Sequence, residues 1–413
     1  MSRFFEKLKD VKPRDILHIF LFIFALPIAL VYKIFRKDLW LVCDNGVEAT
    51  DNGFCFFEYV CKNHPEQDCV YAVYKNSVDY ENVKKTGKTV KYGSFAHWIL
   101  YLTAKVNISS QKGGKPNYAV CYLLEVYGIL RNSRVFLQHG VILTNIDFLY
   151  YKNTKMSMFV TSTYREWEYV NNNYGYPEGT VKLLGLPRWD KLHDFKTVPN
   201  QILIMPTWRD WIGTDALSKS IEDDKKAFCE SDYFKNWSKI INSKRLEEIC
   251  EKYGCTVMFY PHRDMQRFID CFSKSNPYLT ICKYPEYTVQ ELMKSSAFMI
   301  TDYSSVQIDF AYMKKPLAYF QFDYERFSEQ HYGKGYFDYT EDGFGPVYNE
   351  EQGLMNYIEQ MAQRFVCEHR ALFKQTQGIF LTCTIRKIQR EITRLSKKDG
   401  REVCMEEKNT NRL

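Results

Sequence analysis

Short apolar runs alternate with stretches of helical periodicity along most of the chain, and this alternation restricts the fold more than any other feature. The runs at 39–43, 69–74 and 106–109 each have the length of a buried strand, and 53–62 has helical spacing. Parallel strands need a long crossover connection, which a helix usually supplies. The pattern therefore predicts an α/β fold in which the strands form parallel sheets.

The alternation falls into two series that a turn-rich link at 195–200 separates. Further strand-like runs lie at 135–137 and 158–161 in the first series, and at 201–205, 256–260, 298–301 and 317–320 in the second. A chain of 413 residues is also too long for one hydrophobic core of ordinary size. We therefore predict an N-terminal segment, two Rossmann-like domains and a basic C-terminal tail, with the bounds 1–37, 38–198, 199–385 and 386–413.

An apolar run at 16–32, flanked by basic residues on both sides, precedes the first series. A membrane-spanning helix needs about 20 apolar residues, with about 17 as the lower limit. If this run spanned the membrane, its more basic N-terminal side would stay in the cytoplasm and the large domains would lie outside. Thirteen cysteines with no C-x-x-C pair argue instead for a reducing compartment. We favour a helix in the cytoplasmic face of the membrane, with a single spanning helix and a buried helix as alternatives.

The charge of the chain excludes some classes of partner. The net charge is +6, and the basic residues are dispersed rather than gathered in a stripe, so we expect no nucleic-acid partner. An anionic membrane or a phosphorylated substrate is compatible with this charge. The tail is either a solvated helix or a membrane-contacting patch. No cluster of carboxylates or histidines has ligand spacing, so we infer no tightly bound metal.

Four predicted strands end in polar or basic residues that have the chemistry of a binding site. Ligands of open α/β sheets bind outside the carboxyl ends of the strands, so these residues are the first candidates. The four sets are Gln138-His139-Gly140, Pro206-Thr207-Trp208-Arg209, Tyr260-Pro261-His262 and Asp302-Tyr303-Ser304-Ser305.

His139 and His262 are the candidates for proton transfer, because histidine titrates at about pH 6.5. A single histidine is usually structural, but these two follow strand ends in the two predicted domains, which favours a function. Ser304 and Ser305 precede a predicted helix, where hydroxyls either cap the helix or help to cradle a phosphate. Arg209 has the permanent charge that suits phosphate oxygens, although most arginines lie on the surface.

Five short motifs follow one another along the chain. They are Gln138-His139-Gly140, Gly185-Leu186-Pro187-Arg188-Trp189-Asp190, Pro206-Thr207-Trp208-Arg209, Tyr260-Pro261-His262 and Thr301-Asp302-Tyr303-Ser304-Ser305-Val306-Gln307-Ile308-Asp309-Phe310. In this order they resemble the CDP-glycerol glycerophosphotransferase family, the poly(glycerol phosphate) transferases of teichoic acid synthesis. The resemblance runs from about residue 38 to about residue 347.

The resemblance implies two facing Rossmann-like domains of GT-B architecture, attachment to the cytoplasmic face of the cell membrane, and CDP-glycerol as the donor. It implies an acceptor that is a polyol phosphate or a glycan, which we expect to be lipid-linked. We expect no cofactor, and the chain could form a homo-oligomer. His139 would be the base that deprotonates the acceptor hydroxyl. His262 would contact the donor phosphates and stabilise charge as CMP leaves.

The resemblance also assigns substrate contacts. Those to the donor fall on Ser304, Ser305, Asp309, Arg188 and the turn Thr207, Trp208 and Arg209, with Tyr260 and Pro261 beside His262. Those after His139 fall on Gly140, Val141, Ile142 and Leu143, where the family usually has Gly-Thr-Pro-Leu-Lys. Because the Thr, Pro and Lys of that pattern are replaced, the acceptor and the transferred polyol stay open.

Three classes of function therefore remain at this point. The first is a transferase that moves glycerol phosphate, or ribitol phosphate, from a CDP carrier to a hydroxyl of a surface polymer. The second is a nucleotide-sugar glycosyltransferase of the same architecture, since a fold does not fix its chemistry. The third is an inactive membrane-bound assembly subunit, which loss of either histidine would have favoured. Both histidines are present, so we expect an enzyme.

Overall fold

The computed structural model describes residues 12–130, 132–212, 221–331, 333–368 and 385–410, which fold into two α/β units. The first unit comprises Met1–Val141, Asp147–Asp190 and Ile379–Leu413, and the second comprises Ile142–Ile146 and Lys191–Gly378. Each unit contains one sheet in which all the described strand pairs are parallel. The predicted fold class is confirmed.

Among its described residues the first unit contains seven strands and, up to residue 190, seven α-helices. The strands are β1 Trp40–Cys43, β2 Cys69–Val73, β3 Thr89–Lys91, β4 Val106–Ser109, β5 Ser133–Phe136, β6 Met158–Thr161 and β7 Val181–Leu183. The helices are α1 Pro13–Phe35, α2 Asn52–Asn63, α3 Tyr80–Thr86, α4 Phe95–Thr103, α5 Tyr118–Val126, α6 Tyr151–Thr154 and α7 Tyr164–Asn173, with 3₁₀ turns at Asp147–Leu149 and Pro187–Lys191. The strand order is β3-β2-β1-β4-β5-β6-β7, that of a doubly wound sheet.

Strand β1 is central and buried on both faces, which explains its unbroken apolar sequence. Trp40 and Val42 belong to a core on one face, where α2 contributes Phe56, Phe57 and Val60. Leu41 and Cys43 belong to the core on the opposite face, which α1 and α4 cover. Because alternate residues of a strand point to opposite faces, one four-residue run supports both layers of helices.

The second unit contains six strands and seven α-helices among the described residues. The strands are β8 Gln201–Ile204, β9 Thr256–Phe259, β10 Leu279–Ile281, β11 Phe298–Thr301, β12 Leu317–Phe320 and β13 Val347–Tyr348. The helices are α8 Ile221–Glu230, α9 Asp232–Ile241, α10 Lys244–Tyr253, α11 Val289–Ser295, α12 Val306–Tyr312, α13 Tyr324–Gln330 and α14 Glu351–Glu368, with a 3₁₀ helix at Arg263–Cys271. The order β10-β9-β8-β11-β12-β13 repeats the doubly wound arrangement.

The C-terminal region differs from the predicted separate tail at 386–413. A helix, α15 Ile385–Thr410, returns to the first unit, where Ile385, Ile388 and Ile392 are buried in the core beside β5 and α2. These isoleucines recur at helical spacing and form an apolar stripe. The prediction of a basic tail considered the charged residues alone and missed this stripe. The boundary between the units also lies at residues 190 and 191, before the predicted boundary at 198 and 199.

Helix α1 contains the apolar run and lies against α4 along one narrow face. His18, Ala25 and Ala29 are its buried residues, and the Trp98 indole donates a hydrogen bond to Nδ1 of His18 at 2.9 Å. At the end of the helix, Arg36 forms an ion pair with Asp68 at 2.6 Å. By length and composition α1 is able to cross a membrane, and 17% of its most apolar window is buried. The alternative of an ordinary buried helix is therefore wrong.

Candidate functional site

The carboxyl ends of β1, β4 and β5 bring polar side chains together at the centre of the first sheet. Asp44 follows β1 directly and is 1% exposed. It accepts hydrogen bonds from the Tyr71 hydroxyl at 2.7 Å and from the Gly53 N–H at 2.8 Å, and from the hydroxyl of Ser110 after β4. A side chain at Gly53 would place its Cβ 2.4 Å from Asp44 Oδ1, so only glycine allows this approach of α2.

His139 follows β5 and presents its imidazole at this same edge. The preceding residue, Gln138, has a φ of +67°, an unfavourable conformation for a non-glycine residue. Its side chain donates to Glu166 at 2.9 Å, and its carbonyl accepts a hydrogen bond from Asn52 at 2.7 Å. These contacts hold the backbone in a bend that turns His139 outward, and its side chain is 66% exposed.

Asp51 and Arg188 complete the arrangement around His139. Oδ2 of Asp51 lies 2.5 Å from Nδ1 of His139, and Oδ1 lies 3.1 Å from Nη1 of Arg188. Arg188 also donates to the His139 carbonyl, and its backbone N–H donates to Oδ1 of Asn52 at 3.0 Å. We call Asp44, Asp51, His139 and Arg188 the first-unit cluster.

The structure places Arg188 in the first unit, beside His139, and its predicted contact with the donor stays a prediction. It is 7% exposed on the 3₁₀ turn Pro187–Lys191. Asp44, Asp51 and Asn52 were not predicted as site residues. Asp44 satisfies the rule that identified His139, since it directly follows a predicted strand. Asp51 and Asn52 lie at the start of a helix after a loop, where the sequence gives only a capping signal.

The charges of the cluster act on one another. The carboxylate of Asp51 raises the pKa of His139 and Asp44 acts in the same direction, whereas Arg188 opposes them. Burial alone would raise the pKa of Asp51, but His139 and Arg188 lower it below its usual value. Burial, followed by the charge of Asp51, raises the pKa of Asp44. Asp51 is therefore the ionised carboxylate of the cluster.

The residues after Gly140 are placed differently from the prediction of substrate contacts. Val141, Ile142 and Leu143 are 3%, 2% and 6% exposed, so their side chains are buried. Residues Ile142–Ile146 belong to the second unit, where the backbone of Asn145 pairs with that of Gly333. Of the four residues predicted to contact substrate here, Gly140 is the one that is half-buried rather than buried.

In the second unit, Arg209 follows β8 but is fully buried. Its guanidinium forms ion pairs with Asp302 at 2.9 Å and Asp323 at 2.8 Å and donates to the Thr207 carbonyl at 2.8 Å. These contacts join the ends of β8, β11 and β12. The guanidinium is not presented to a ligand, so the predicted phosphate contact is replaced by a structural one.

His262 and Trp208 lie at the ends of β9 and β8. The rings stack with centroids 6.2 Å apart, and the ring of the buried His331 stands at 74° to the Trp208 ring with centroids 4.6 Å apart. The backbone N–H of His262 donates to the Pro206 carbonyl at 3.1 Å, and the ring nitrogen Nδ1 accepts from the backbone N–H of Asp264 at 3.3 Å. The Asp264 carboxylate also lies 3.5 Å from Nδ1, a longer contact than that of the backbone N–H. We therefore assign the proton of the neutral ring to Nε2, the nitrogen that would donate to a phosphate oxygen.

The remaining predicted donor contacts are of two kinds. Tyr260, Pro261 and Asp309 are buried, and Thr207 and Ser304 are each 8% exposed. Ser305 precedes α12 and is half-buried, but its hydroxyl forms no capping hydrogen bond, so the predicted cap is absent there. Trp208, His262 and Ser305 thus have the exposure that a ligand contact requires.

Two Rossmann-like units, each with a partly exposed histidine at the carboxyl edge of its sheet, define the class as a two-domain α/β protein of GT-B type. A family model described as CDP-Glycerol:Poly(glycerophosphate) glycerophosphotransferase matches residues 25–377. The chain therefore belongs to this family of transferases, as the motifs indicated.

Curated relatives agree with this assignment. The minor teichoic acid biosynthesis protein GgaB of Bacillus subtilis (strain 168) is 34% identical over 336 residues, which cover 79% of this chain and 36% of GgaB. A teichoic acid poly(glycerol phosphate) polymerase of Staphylococcus epidermidis is 26% identical over 193 residues, 45% of this chain and 24% of the polymerase. The chain thus spans well under half the length of these relatives. It also resembles the solved wall teichoic acid polymerase TagF, with a TM-score of 0.59, 18% identity and coverage of 89% of this chain and 90% of that one, which supports the fold.

Proposed function

We propose that this protein transfers glycerol phosphate from CDP-glycerol to a hydroxyl of a cell-surface polymer or its lipid-linked precursor and releases CMP. The family assignment supports the reaction type. The observation that carries the proposal is the placement of His139, exposed at a sheet edge with Nδ1 against Asp51 and Nε2 left as the basic nitrogen. A histidine in this state can accept a proton at neutral pH.

The proposed reaction is one displacement at phosphorus. The acceptor oxygen attacks the phosphorus atom that carries glycerol, and its proton passes to Nε2 of His139. The bond from that phosphorus to the bridging oxygen breaks, and CMP leaves with this oxygen and its electron pair. The product is a phosphodiester, and His139 afterwards returns its proton to water.

We assign the donor to the second unit and the acceptor to the first. His262 is expected to donate from Nε2 to a donor phosphate, and Ser305 to supply a further hydrogen bond. The indole of Trp208, half-buried beside His262, offers a flat surface close to the same place. These contacts would stabilise the negative charge that develops as CMP leaves.

We further propose that the protein works at the cytoplasmic face of the membrane, held by α1. Nine apolar side chains of α1 are more than half exposed: Ile16, Leu17, Phe20, Ile23, Phe24, Leu30, Val31, Ile34 and Phe35. Polar contacts of His18, near the start of α1, and of Arg36, just after its end, hold the helix against the rest of the first unit. A helix held near both ends in this way suits a position in the membrane plane, where a lipid-linked acceptor would also lie.

The test is a donor panel on the purified full chain with a membrane lipid extract as acceptor. CDP-glycerol, CDP-ribitol and UDP-sugars are supplied separately, and release of CMP or UDP is measured. We expect CMP release with CDP-glycerol, reduced about 10²- to 10⁴-fold in His139→Ala and unchanged in the control His64→Ala. Release from CDP-ribitol or a UDP-sugar alone would replace the proposed donor, and release from none would overturn the reaction.

A further inference from the structure

We propose that Asp51 is the positioning residue of the reaction, holding the proton of His139 on Nδ1 so that the Nε2 lone pair faces the acceptor hydroxyl. This inference rests on the proposed function for what His139 does. The pairing of Asp51 with His139 stands on geometry alone, and the experiment below measures it separately.

The hydrogen bonds around Asp51 fix which atom does what. Oδ1 accepts from the Asn52 N–H at 2.8 Å and from Arg188 at 3.1 Å. Oδ2 faces Nδ1 of His139 at 2.5 Å. An ionised carboxylate only accepts hydrogen bonds, so Nδ1 must be the donor in this contact. The neutral imidazole is thereby confined to the tautomer whose Nε2 is basic.

Three structural elements hold this pair in place. Asp51 precedes α2 and is 11% exposed, and Arg188 reaches it from the 3₁₀ turn Pro187–Lys191. Asn52 links the two by accepting from the Arg188 backbone and donating to the Gln138 carbonyl. The strained bend at Gln138 then fixes the direction of the imidazole. This degree of support is expected where a functional geometry must be exact to a fraction of an ångström.

The charged groups facing the imidazole favour its protonated form during turnover. Asp51 and Asp44 are negative or potentially negative, Arg188 is positive, and the amide of Gln111 lies 3.4 Å from Nδ1. When Nε2 takes the proton of the acceptor, the imidazolium lies directly against the Asp51 carboxylate. The arrangement serves the same purpose as the aspartate of a Ser-His-Asp triad, which orients the histidine and stabilises its charged form.

The variant Asp51→Asn tests the proposal through the tautomer. Arg188 and the Asn52 N–H will keep the amide oxygen on their side, so the amide N–H₂ will face His139. Nδ1 must then accept, and the imidazole proton moves to Nε2, which can no longer act as a base. We expect kcat to fall about 10²- to 10⁴-fold, and CDP-glycerol affinity to stay unchanged.

Nitrogen-15 NMR of the full chain reads the tautomer directly, with the His139→Gln spectrum as the assignment. The wild type should show a proton on Nδ1, Asp51→Asn a proton on Nε2, and the control Asp38→Asn no change. Asp38 lies on the surface of the same unit, where it pairs with Lys105. The control variant therefore removes the same charge as Asp51→Asn at a place away from His139. A wild-type proton on Nε2, or an unchanged tautomer in Asp51→Asn, overturns the proposal even if that variant is unstable. If the tautomer shifts in Asp51→Asn but the wild type releases no CMP, the pairing of Asp51 with His139 is supported and only the proposed reaction is overturned.

Discussion

At the scale of single residues, position after a strand predicted where His139 and Arg209 lie but not what Arg209 contacts. Arg188, which the resemblance alone singled out, is likewise buried against a carboxylate. A motif gives the residue type. It does not give the carboxylates that meet these arginines, which come from 114 and 137 positions away in the chain. Because ion pairs between distant residues depend on the assembled sheet, the sequence predicted free phosphate ligands where the structure has buried pairs.

The replacement Arg209→Met should destabilise the second unit strongly. It leaves Asp302 and Asp323 buried without their cation, and breaking a buried pair in this way costs about 3–5 kcal/mol. Denaturant unfolding monitored by tryptophan fluorescence measures the loss. As the control, Arg263→Met removes an arginine that stacks on Tyr284 from an exposed position, and should change the stability by less than about 1 kcal/mol. If Arg209→Met kept its stability and lost only donor affinity, the prediction that Arg209 contacts a donor phosphate would be correct after all.

The raised pKa of His139 predicts that activity and stability change in opposite directions with pH. The pKa in the folded state lies above the unfolded value of about 6.5, so its stabilising contribution is complete below that pH. The contribution is lost as the pH rises through the folded pKa, where the imidazole becomes neutral and active. The acid limb of kcat should therefore lie above about pH 6.5, and Tm should decline over the same interval. His139→Gln should abolish both effects, and an acid limb below pH 6 would contradict the pairing with Asp51.

At the scale of elements, the longer strands and helices followed directly from apolar runs and helical spacing. The predicted strands at 106–109, 158–161, 298–301 and 317–320 have the bounds that the structure gives them. The short strands β3, β7, β10 and β13 were not predicted, because two or three residues are too few to show a periodicity. Their strand conformation depends on pairing with the longer neighbour already present in each sheet.

The outward face of α1 should control membrane binding without affecting the fold. Phe20 and Phe24 are 54% and 64% exposed, so the double variant Phe20→Ser, Phe24→Ser removes apolar contacts with lipid rather than with protein. Each buried phenylalanine is worth about 1.5–3 kcal/mol, so binding to anionic vesicles should fall at least about 100-fold. Flotation with vesicles measures the bound fraction.

The matched control for α1 replaces two exposed valines elsewhere on the first unit, Val47→Ser and Val78→Ser, which are 49% and 59% exposed. This variant should bind vesicles as the wild type does. Equal binding by both double variants would place the membrane contact on another surface.

At the scale of the whole molecule, the two units repeat one strand order but carry different chemistry. In the first unit, Nδ1 of His139 lies 2.5 Å from a carboxylate oxygen of Asp51. In the second, Nδ1 of His262 accepts from the Asp264 N–H at 3.3 Å, and the Asp264 carboxylate lies farther away, at 3.5 Å. The closer carboxylate suits a base, whereas the backbone contact leaves Nε2 of His262 as the donor to a phosphate. This difference underlies the proposed division of labour between acceptor and donor.

Calorimetric titration of CDP-glycerol tests that division. His139→Ala should bind the donor as the wild type does while losing turnover, and His262→Ala should bind it at least about 5-fold more weakly, as expected for the loss of a hydrogen bond to a charged group. His193→Ala, a surface histidine of the second unit that contacts Tyr312, is the control for His262. The opposite result, with donor binding lost in His139→Ala and retained in His262→Ala, would exchange the two assignments.

The return of α15 to the first unit has a consequence for synthesis on the ribosome. Ile385, Ile388 and Ile392 complete the core beside β5, yet Lys191–Gly378 is translated before them. At about 5–20 residues per second this intervening stretch takes roughly 10–40 s to make. By the end of that interval all the described strands of the second unit have been made, while the core of the first unit still lacks the three isoleucines. The nascent chain therefore passes through a stage in which its earlier half is the less finished one, and chaperone binding should concentrate there.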